Sequence, residues 1–180
     1  MPAADTTGVG SAGSADSNVT PVTVMPAAAD DPMVTFELTD QVRETIQQTL
    51  YRLLALRSQV FVVEQNCVFQ DMDGLDDQAM HLLGTRVVDG AQQLVAYVRC
   101  FPKGITFDEA SIGRVVTRQS ARGGGLGHVL MAEAIRALMA EWGAEPIRIG
   151  AQAHLKSFYE RHGFADVGKP YMEDGIAHLE

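Results

Sequence analysis

Six residues in the second half of the chain, Arg122-Gly123-Gly124-Gly125-Leu126-Gly127, have the composition of a phosphate cradle. Glycines let a backbone approach an anion closely. If a helix starts from such a turn, its first N–H groups have no intrahelical partners, and the helix dipole adds about half a positive charge there. Arg118 and Arg122 add cationic donors suited to phosphate. Two other glycine turns are excluded. A dinucleotide fold needs Gly-x-Gly-x-x-Gly after the first strand of a βαβ unit, but the runs before this turn are antiparallel in character. A Walker A loop needs Gly-Lys-Ser/Thr, and none follows. The turn is therefore a phosphate or coenzyme A cradle, or a bare structural turn.

Such a cradle needs a strand before it and a helix after it. Ser111 to Thr117 reads as the strand. Leu126, Leu130, Ala134, Ala137 and Leu138 fall at helical spacing, and Gly143 and Pro146 end the helix. Upstream, Val34, Phe36 and Leu38 alternate as a short strand, with Thr39 and Asp40 as N-caps for a helix. That helix carries Ile46, Leu50, Leu53, Leu54 and Phe61 on one face. Asn66 to Asp77 reads as an acidic loop. His81 to Val88 and Leu94 to Phe101 are strands joined by an Asp89-Gly90 hairpin signal. Downstream, Pro146 to Gly150 is a short strand, and Ala153 to His162 a helix stopped by Gly163. Phe164 to Val167 and Ile176 to Leu179 are the last strands expected.

The composition, 46% hydrophobic and 21% charged, is that of a globular protein able to fill its own core. A formal charge of -9 disfavours nucleic acid and anionic membrane as partners, whereas local donors still suffice for a small anion because screening acts over roughly 8 Å. No apolar run approaches the ~20 residues of a membrane span. Without a signal peptide pattern, and with Cys67 and Cys100 lacking metal spacing, a cytoplasmic protein with free thiols is expected. Residues 1–32 contain no Lys, Arg or aromatic residue and read as a disordered leader. Residues 33–180 read as one folded domain.

Val115-Val116-Thr117-Arg118 followed by Arg122-Gly123-Gly124-Gly125-Leu126-Gly127-His128 resembles the signature of the GNAT superfamily, a strand and then R/Q-x-x-G-x-G/A opening a helix. Phe158-Tyr159-Glu160-Arg161-His162-Gly163-Phe164 is similar to its second signature. Leu56 to Gln65, Ile112 to Val115, Gly150 to Leu155 and Glu173 to His178 resemble the ElaA family within it. The resemblance runs from about residue 35 to the C-terminus. It implies an α/β (α+β) fold: a mixed, mostly antiparallel sheet flanked by helices and splayed between its fourth and fifth strands. It also implies acetyl-CoA as co-substrate. The pantetheine arm would pair with backbone near Val115, Val116 and Thr117, and the diphosphate would sit on Arg122 to His128. Thr117 stands where an aliphatic residue is usual, and Gln152 where many members have Asn.

Acetyl transfer to an amine requires a neutral nucleophile, donors for a developing oxyanion and a proton for the departing thiolate. By resemblance Tyr159 is the candidate acid, against a core Tyr with a satisfied hydroxyl. Glu64, in an apolar run where desolvation raises a carboxyl pKa, and His81, which titrates near neutrality, are the candidate bases. The alternatives are structural pairing for Glu64, packing for His81, and ordered water carrying the proton. His154 lies beside the cleft by resemblance, or packs. Asp71, Asp73, Asp76 and Asp77 miss the calcium-loop pattern, and no metal is expected. They read as a solvated loop or an attractor for a cationic amine. The expected function is therefore an acetyl-CoA-dependent N-acetyltransferase acting on an unidentified amine, with a homodimer possible. Rival readings are an acyl-homoserine-lactone-synthase-like acyltransferase and a non-catalytic CoA-binding module.

Overall fold

Asp89 and Gly90, at φ 50° and 78°, form the tight turn whose twist suits a hairpin between two long apolar strands. In the computed structural model, residues 21–22, 35–39 and 46–180 are described. Pro21–Val22 (β1) and Thr35–Thr39 (β2) lead to the helix Ile46–Arg57 (α1), which continues as a π-helical stretch, Ser58–Glu64. Met80–Val88 (β3), Ala91–Phe101 (β4) and Ala110–Thr117 (β5) follow, then the helix Leu126–Trp142 (α2). The chain ends with Ile147–Arg148 (β6), Ala151–Gln152 (β7), the short helix Lys156–Glu160 (α3), Pro170–Glu173 (β8) and Ile176–Leu179 (β9). None of the described helices is long and apolar enough to cross a membrane.

The strands form two sheets, β1-β2-β3-β4-β5-β6 and β7-β9-β8. All pairings are antiparallel except β5 with β6. Leu94 to Phe101 of β4 are buried at every position, as a central strand covered on both faces requires. Leu126, Leu130, Met131, Ala134 and Leu138 of α2 pack against Val95, Val98, Cys100 and Ile112. Leu53, Leu56 and Val60 of the first helical segment pack with Leu83, Leu94, Tyr97 and Val116. Cys67 and Cys100 are buried free thiols, and burial pushes the Cys100 thiol up to about 12.

Several expectations are corrected. The first helix buries Leu53, Leu56 and Arg57 but leaves Leu50 39% exposed, so its inner face is rotated from the expected stripe. The strand expected over Pro146 to Gly150 is cut to Ile147–Arg148 (β6), and Ala151–Gln152, just beyond that run, forms β7 in the other sheet. Phe164 to Val167 is no strand. The Asp166 carboxylate accepts from the Gly168 N–H at 2.7 Å, bending the chain into a turn, and the strand forms at Pro170 instead. Ala153 to His162 divides into a 3-10 turn, Ala153–Leu155, and α3, and Gly163 at φ 87° ends it. Pro21 and Val22 fall within the stretch read as a disordered leader, yet they pair with Glu37 and Phe36 on the open edge of β2. The rest of that leader, the start of the first strand at Val34, the Asp40 cap and the side chain of Ile46 lie outside the described residues.

Candidate active site

The site begins with an irregularity in β5. Tyr97 pairs with Val116 and Arg99 with Gly113, so β5 carries one extra residue there, and Arg114 takes φ 52°. Such a bulge bends its strand and increases its twist. On the other side β5 meets β6 only at Ala110 and Ser111. Past Arg148 the chain crosses into the second sheet as β7. The strand counted fourth in the sequence is thus β5, and its edge from Ile112 to Thr117 has no strand partner on that side among the described residues. A cavity of about 570 Å³ lies where the strands diverge, its walls including Val115, Gln152, Tyr159 and His178. A smaller cavity of about 330 Å³ also touches Tyr159 and Gln152 but not β5, and we place the chemistry in the larger one, which runs along Ile112 to Val115.

At its far end β5 runs through a 3-10 turn, Gln119–Ala121, into the glycine turn and α2. Gly123 and Gly125 sit at φ 103° and 81°, a region costly for other residues, which explains glycine there. Gly125 caps α2 without a side-chain hydrogen bond; the His128 N–H turns back to the Gly125 carbonyl at 2.9 Å, and the N–H groups of Leu126 and Gly127 are left to a ligand. A Cβ on Gly127 would meet the Phe158 ring at 3.5 Å, an ordinary van der Waals contact, so α2 packs beside the segment of Tyr159 here without requiring glycine. The Arg122 guanidinium donates to the Thr117 carbonyl at 3.1 and 2.8 Å and to Glu64 at 2.7 Å. Arg118 donates instead to the Leu94 carbonyl. An exposed glycine turn at the far end of β5 and a cleft along the open edge of that strand fit a CoA thioester in shape and in donor chemistry.

The Tyr159 ring stands edge-on to Phe158 and Phe164, at 5.0 and 6.1 Å. Burial pushes its phenol up to about 12. None of the described residues hydrogen-bonds its hydroxyl, and it borders both cavities. Gln152 donates to the Gln65 side chain at 3.0 Å. The two expected bases are elsewhere. Glu64 is committed to Arg122. His81 is buried, outside the cavity walls, with both ring nitrogens engaged: 2.7 Å from the Tyr97 hydroxyl and 2.8 Å from the Asp76 carbonyl. A carbonyl only accepts, so Nε2 carries the proton and Nδ1 accepts from Tyr97. Burial lowers the His81 pKa further, consistent with a neutral packing residue. His154 is exposed on its turn. His128 and His162 contact each other at 2.9 Å beside Phe158.

The acidic loop is solvated only in part: Asp77 is exposed, whereas Asp71, Asp73 and Asp76 are held by arginines. Arg57, fully buried, donates to Asp71 at 2.7 Å and Asp76 at 2.8 Å. Arg99, 3% exposed, donates to both oxygens of Asp73, at 2.8 and 2.6 Å, and to Asp76 at 2.8 Å. Arg114 reaches Asp71 at 2.7 Å. Burial opposes the charge of Arg57, but its bonds to Asp71 and Asp76 outweigh that and raise its pKa. The Arg99 hydrogen bond holds Asp73 well below the usual carboxylate range. The network fixes Asp73, Arg99 and Arg114 into the cavity wall. One signal was available in sequence: Arg57 and Arg99 interrupt apolar stretches, and a charge at a core position must be paired.

The profile of the acetyltransferase (GNAT) domain matches residues 38–180. A UPF0039 protein of Synechocystis is 45% identical over 132 residues, covering 73% of this chain and 84% of that protein. Protein ElaA of Escherichia coli is 42% identical over 132 residues, covering 72% and 84%. A crystal structure of an acyl-CoA N-acyltransferase from Pseudomonas aeruginosa matches with a TM-score of 0.70 at 41% identity, covering 80% of this chain and 95% of that one.

Proposed function

This chain belongs to the acetyltransferase (GNAT) family, and from that premise we propose that it moves an acetyl group from acetyl-CoA to a primary amine of a small molecule or peptide, by direct attack in a ternary complex. The observation that carries the reading is the single cavity joining the open edge of β5 at Val115 to Gln152 and Tyr159. The likeness to an acyl-CoA N-acyltransferase supports an acyl-CoA donor.

When bound, acetyl-CoA supplies an activated acyl group on a thiol leaving group. The chain supplies the rest. Gly123, Gly124, Gly125, Leu126 and Gly127 offer backbone N–H groups to the diphosphate beside His128, whose own N–H is given to the Gly125 carbonyl, and Arg122 turns from Glu64 toward it. The open edge of Val115 and Val116 pairs with the amide arm up to Thr117, whose carbonyl holds Arg122, and Gln152 flanks it across the cleft. Backbone N–H groups of β5 stabilise the developing oxyanion. Tyr159 gives its proton to the leaving sulfur. Glu64 orients Arg122, and His81 braces the loop at Asp76.

Acetyl-CoA consumption with a panel of amines, followed by thiol release, tests the reading. Amine-dependent turnover is expected, and binding without turnover would make this a non-catalytic CoA module. Acetyl-CoA should also stabilise the fold by about 2.7 kcal/mol at a hundred times its Kd. No thermal shift at millimolar acetyl-CoA would remove the donor assignment. Gly125→Val should weaken CoA binding by at least ~10-fold, because a β-branched side chain is strained at φ 81° and crowds the anion. Unchanged affinity in a folded variant would reduce the turn to a structural element.

A further inference from the structure

If acetyl transfer to amines is the reaction, the site needs a proton acceptor that neither Glu64 nor His81 provides. We propose that the acceptor is Nε2 of His178, on β9, with Glu173 as the outlet for the proton. This inference rests on the proposed function.

β9 is the middle strand of the second sheet, so His178 is held by backbone on both sides, opposite Gln152 of β7 and Tyr171 of β8. Its ring stacks on Tyr171 with centroids 5.3 Å apart. Nδ1 lies 2.9 Å from the Ile176 carbonyl, which can only accept, so Nδ1 carries the proton and Nε2 holds a free lone pair. The side chain borders the same cavity as Tyr159. The Glu173 carboxylate is 3.8 Å from Nε2, beyond hydrogen-bond reach, but placed to attract a proton once it arrives. Glu173 is mostly exposed, which opens a path to water. Other ionisable groups facing the cavity are Asp73, Arg99 and Arg114 across it, Asp174 at the hairpin, Tyr171, Tyr159 and Cys67, whose thiol donates to the Asp174 carbonyl at 3.5 Å. Asp73 is held by Arg99 and Arg114. His178 is thus the cavity-facing imidazole with an unengaged nitrogen lone pair.

The step balances. The acceptor ammonium gives one N–H proton to Nε2, and the nitrogen's freed electron pair forms the C–N bond. As the C–S bond breaks, its electron pair goes to sulfur, which takes the Tyr159 proton. The phenolate recovers a proton from the new amide nitrogen. The proton on His178 leaves through Glu173 to water, so each turnover releases one proton and restores both side chains.

The test uses the full chain and His178→Asn, whose amide keeps a donor for the Ile176 carbonyl. Two probes are compared: an alkylamine, mostly ammonium at neutral pH, and hydroxylamine, already neutral there. His178→Asn should lower kcat/KM for the alkylamine by ~10²- to 10⁴-fold. The loss should shrink as pH rises, hydroxylamine should change by less than ~10-fold, and acetyl-CoA affinity should hold. Equal losses for both probes would overturn the proposal. Glu173→Gln should give a smaller loss of the same pattern, which keeps the test open if His178→Asn folds poorly. Independently of turnover, imidazole ¹⁵N correlation spectra should show His178 protonated on Nδ1 and bare on Nε2. The opposite tautomer would also overturn it. Acetyl-CoA binding without any amine turnover by the native chain would sink the transferase reading itself.

Discussion

Tyr159→Phe is expected to lower kcat by ~10²- to 10⁴-fold while acetyl-CoA affinity changes little. The ring stays, and with it the edge-on contacts to Phe158 and Phe164, so fold and cleft survive. What goes is a hydroxyl that none of the described residues engages, in a phenol that burial pushes up to about 12. Such a group remains protonated at neutral pH, as a proton donor must. The proton matters only when negative charge develops on sulfur, so the loss falls on the transition state rather than on binding. A more acidic leaving thiol needs less protonation, and with such a donor the defect should diminish. Near-normal turnover with a verified acceptor would make Tyr159 a packing residue, and another donor would have to protonate the thiolate.

The glycine turn was legible because its requirement is local. Gly123 and Gly125 occupy backbone conformations that glycine alone adopts cheaply, within a few residues of the helix they open. Strand order near the site was legible for a similar reason, since the Asp89-Gly90 hairpin and the apolar β4 dictate their own pairing. The polar constellation was not legible. Asp71 meets Arg57 and Arg114 across 14 and 43 positions, and no periodicity links residues that far apart. His81 looked like a base because it opens a strand, but only tertiary packing reveals that Tyr97 and Asp76 take both its nitrogens. His178 went unnoticed for the converse reason. Its free nitrogen depends on one backbone carbonyl, and its access depends on β9 lying in a second sheet beside the cleft. The inner face of the first helix was misjudged because apolar spacing favours Leu50, whereas the fold buries Arg57 to collect the acidic loop.

Arg57→Ala is expected to destabilise the protein by ~3 kcal/mol, the lower end of the 3–5 kcal/mol for removing one partner of a buried pair. The lower end applies because Asp71 keeps Arg114 and Asp76 keeps Arg99. Against a total stability of about 5–15 kcal/mol, the loss would be plain in urea unfolding at pH 7. The same carboxylates set the acid response. Asp73 and Asp76 are held below their ordinary range, Asp73 chiefly by its Arg99 bond. For Asp76, burial opposes ionisation, but its bonds to Arg57 and Arg99 win. Groups with lowered folded pKa values contribute stability that is fully present above the unfolded value near ~3.9. That stability is lost as pH falls from there through the folded values. Without Arg57, Asp76 loses one of its two cations and its pKa moves back toward the ordinary range, so the variant should be less stable at pH 7 yet lose less on acidification below pH ~4. The acceptor side should respond as well, because the loop from Asp71 to Asp76 carries Asp73 into the cavity wall. The KM for the amine should rise while acetyl-CoA affinity, set at the distant glycine turn, stays near its native value. Native stability at pH 7 in a folded Arg57→Ala protein would mean that Arg99 and Arg114 alone hold the loop.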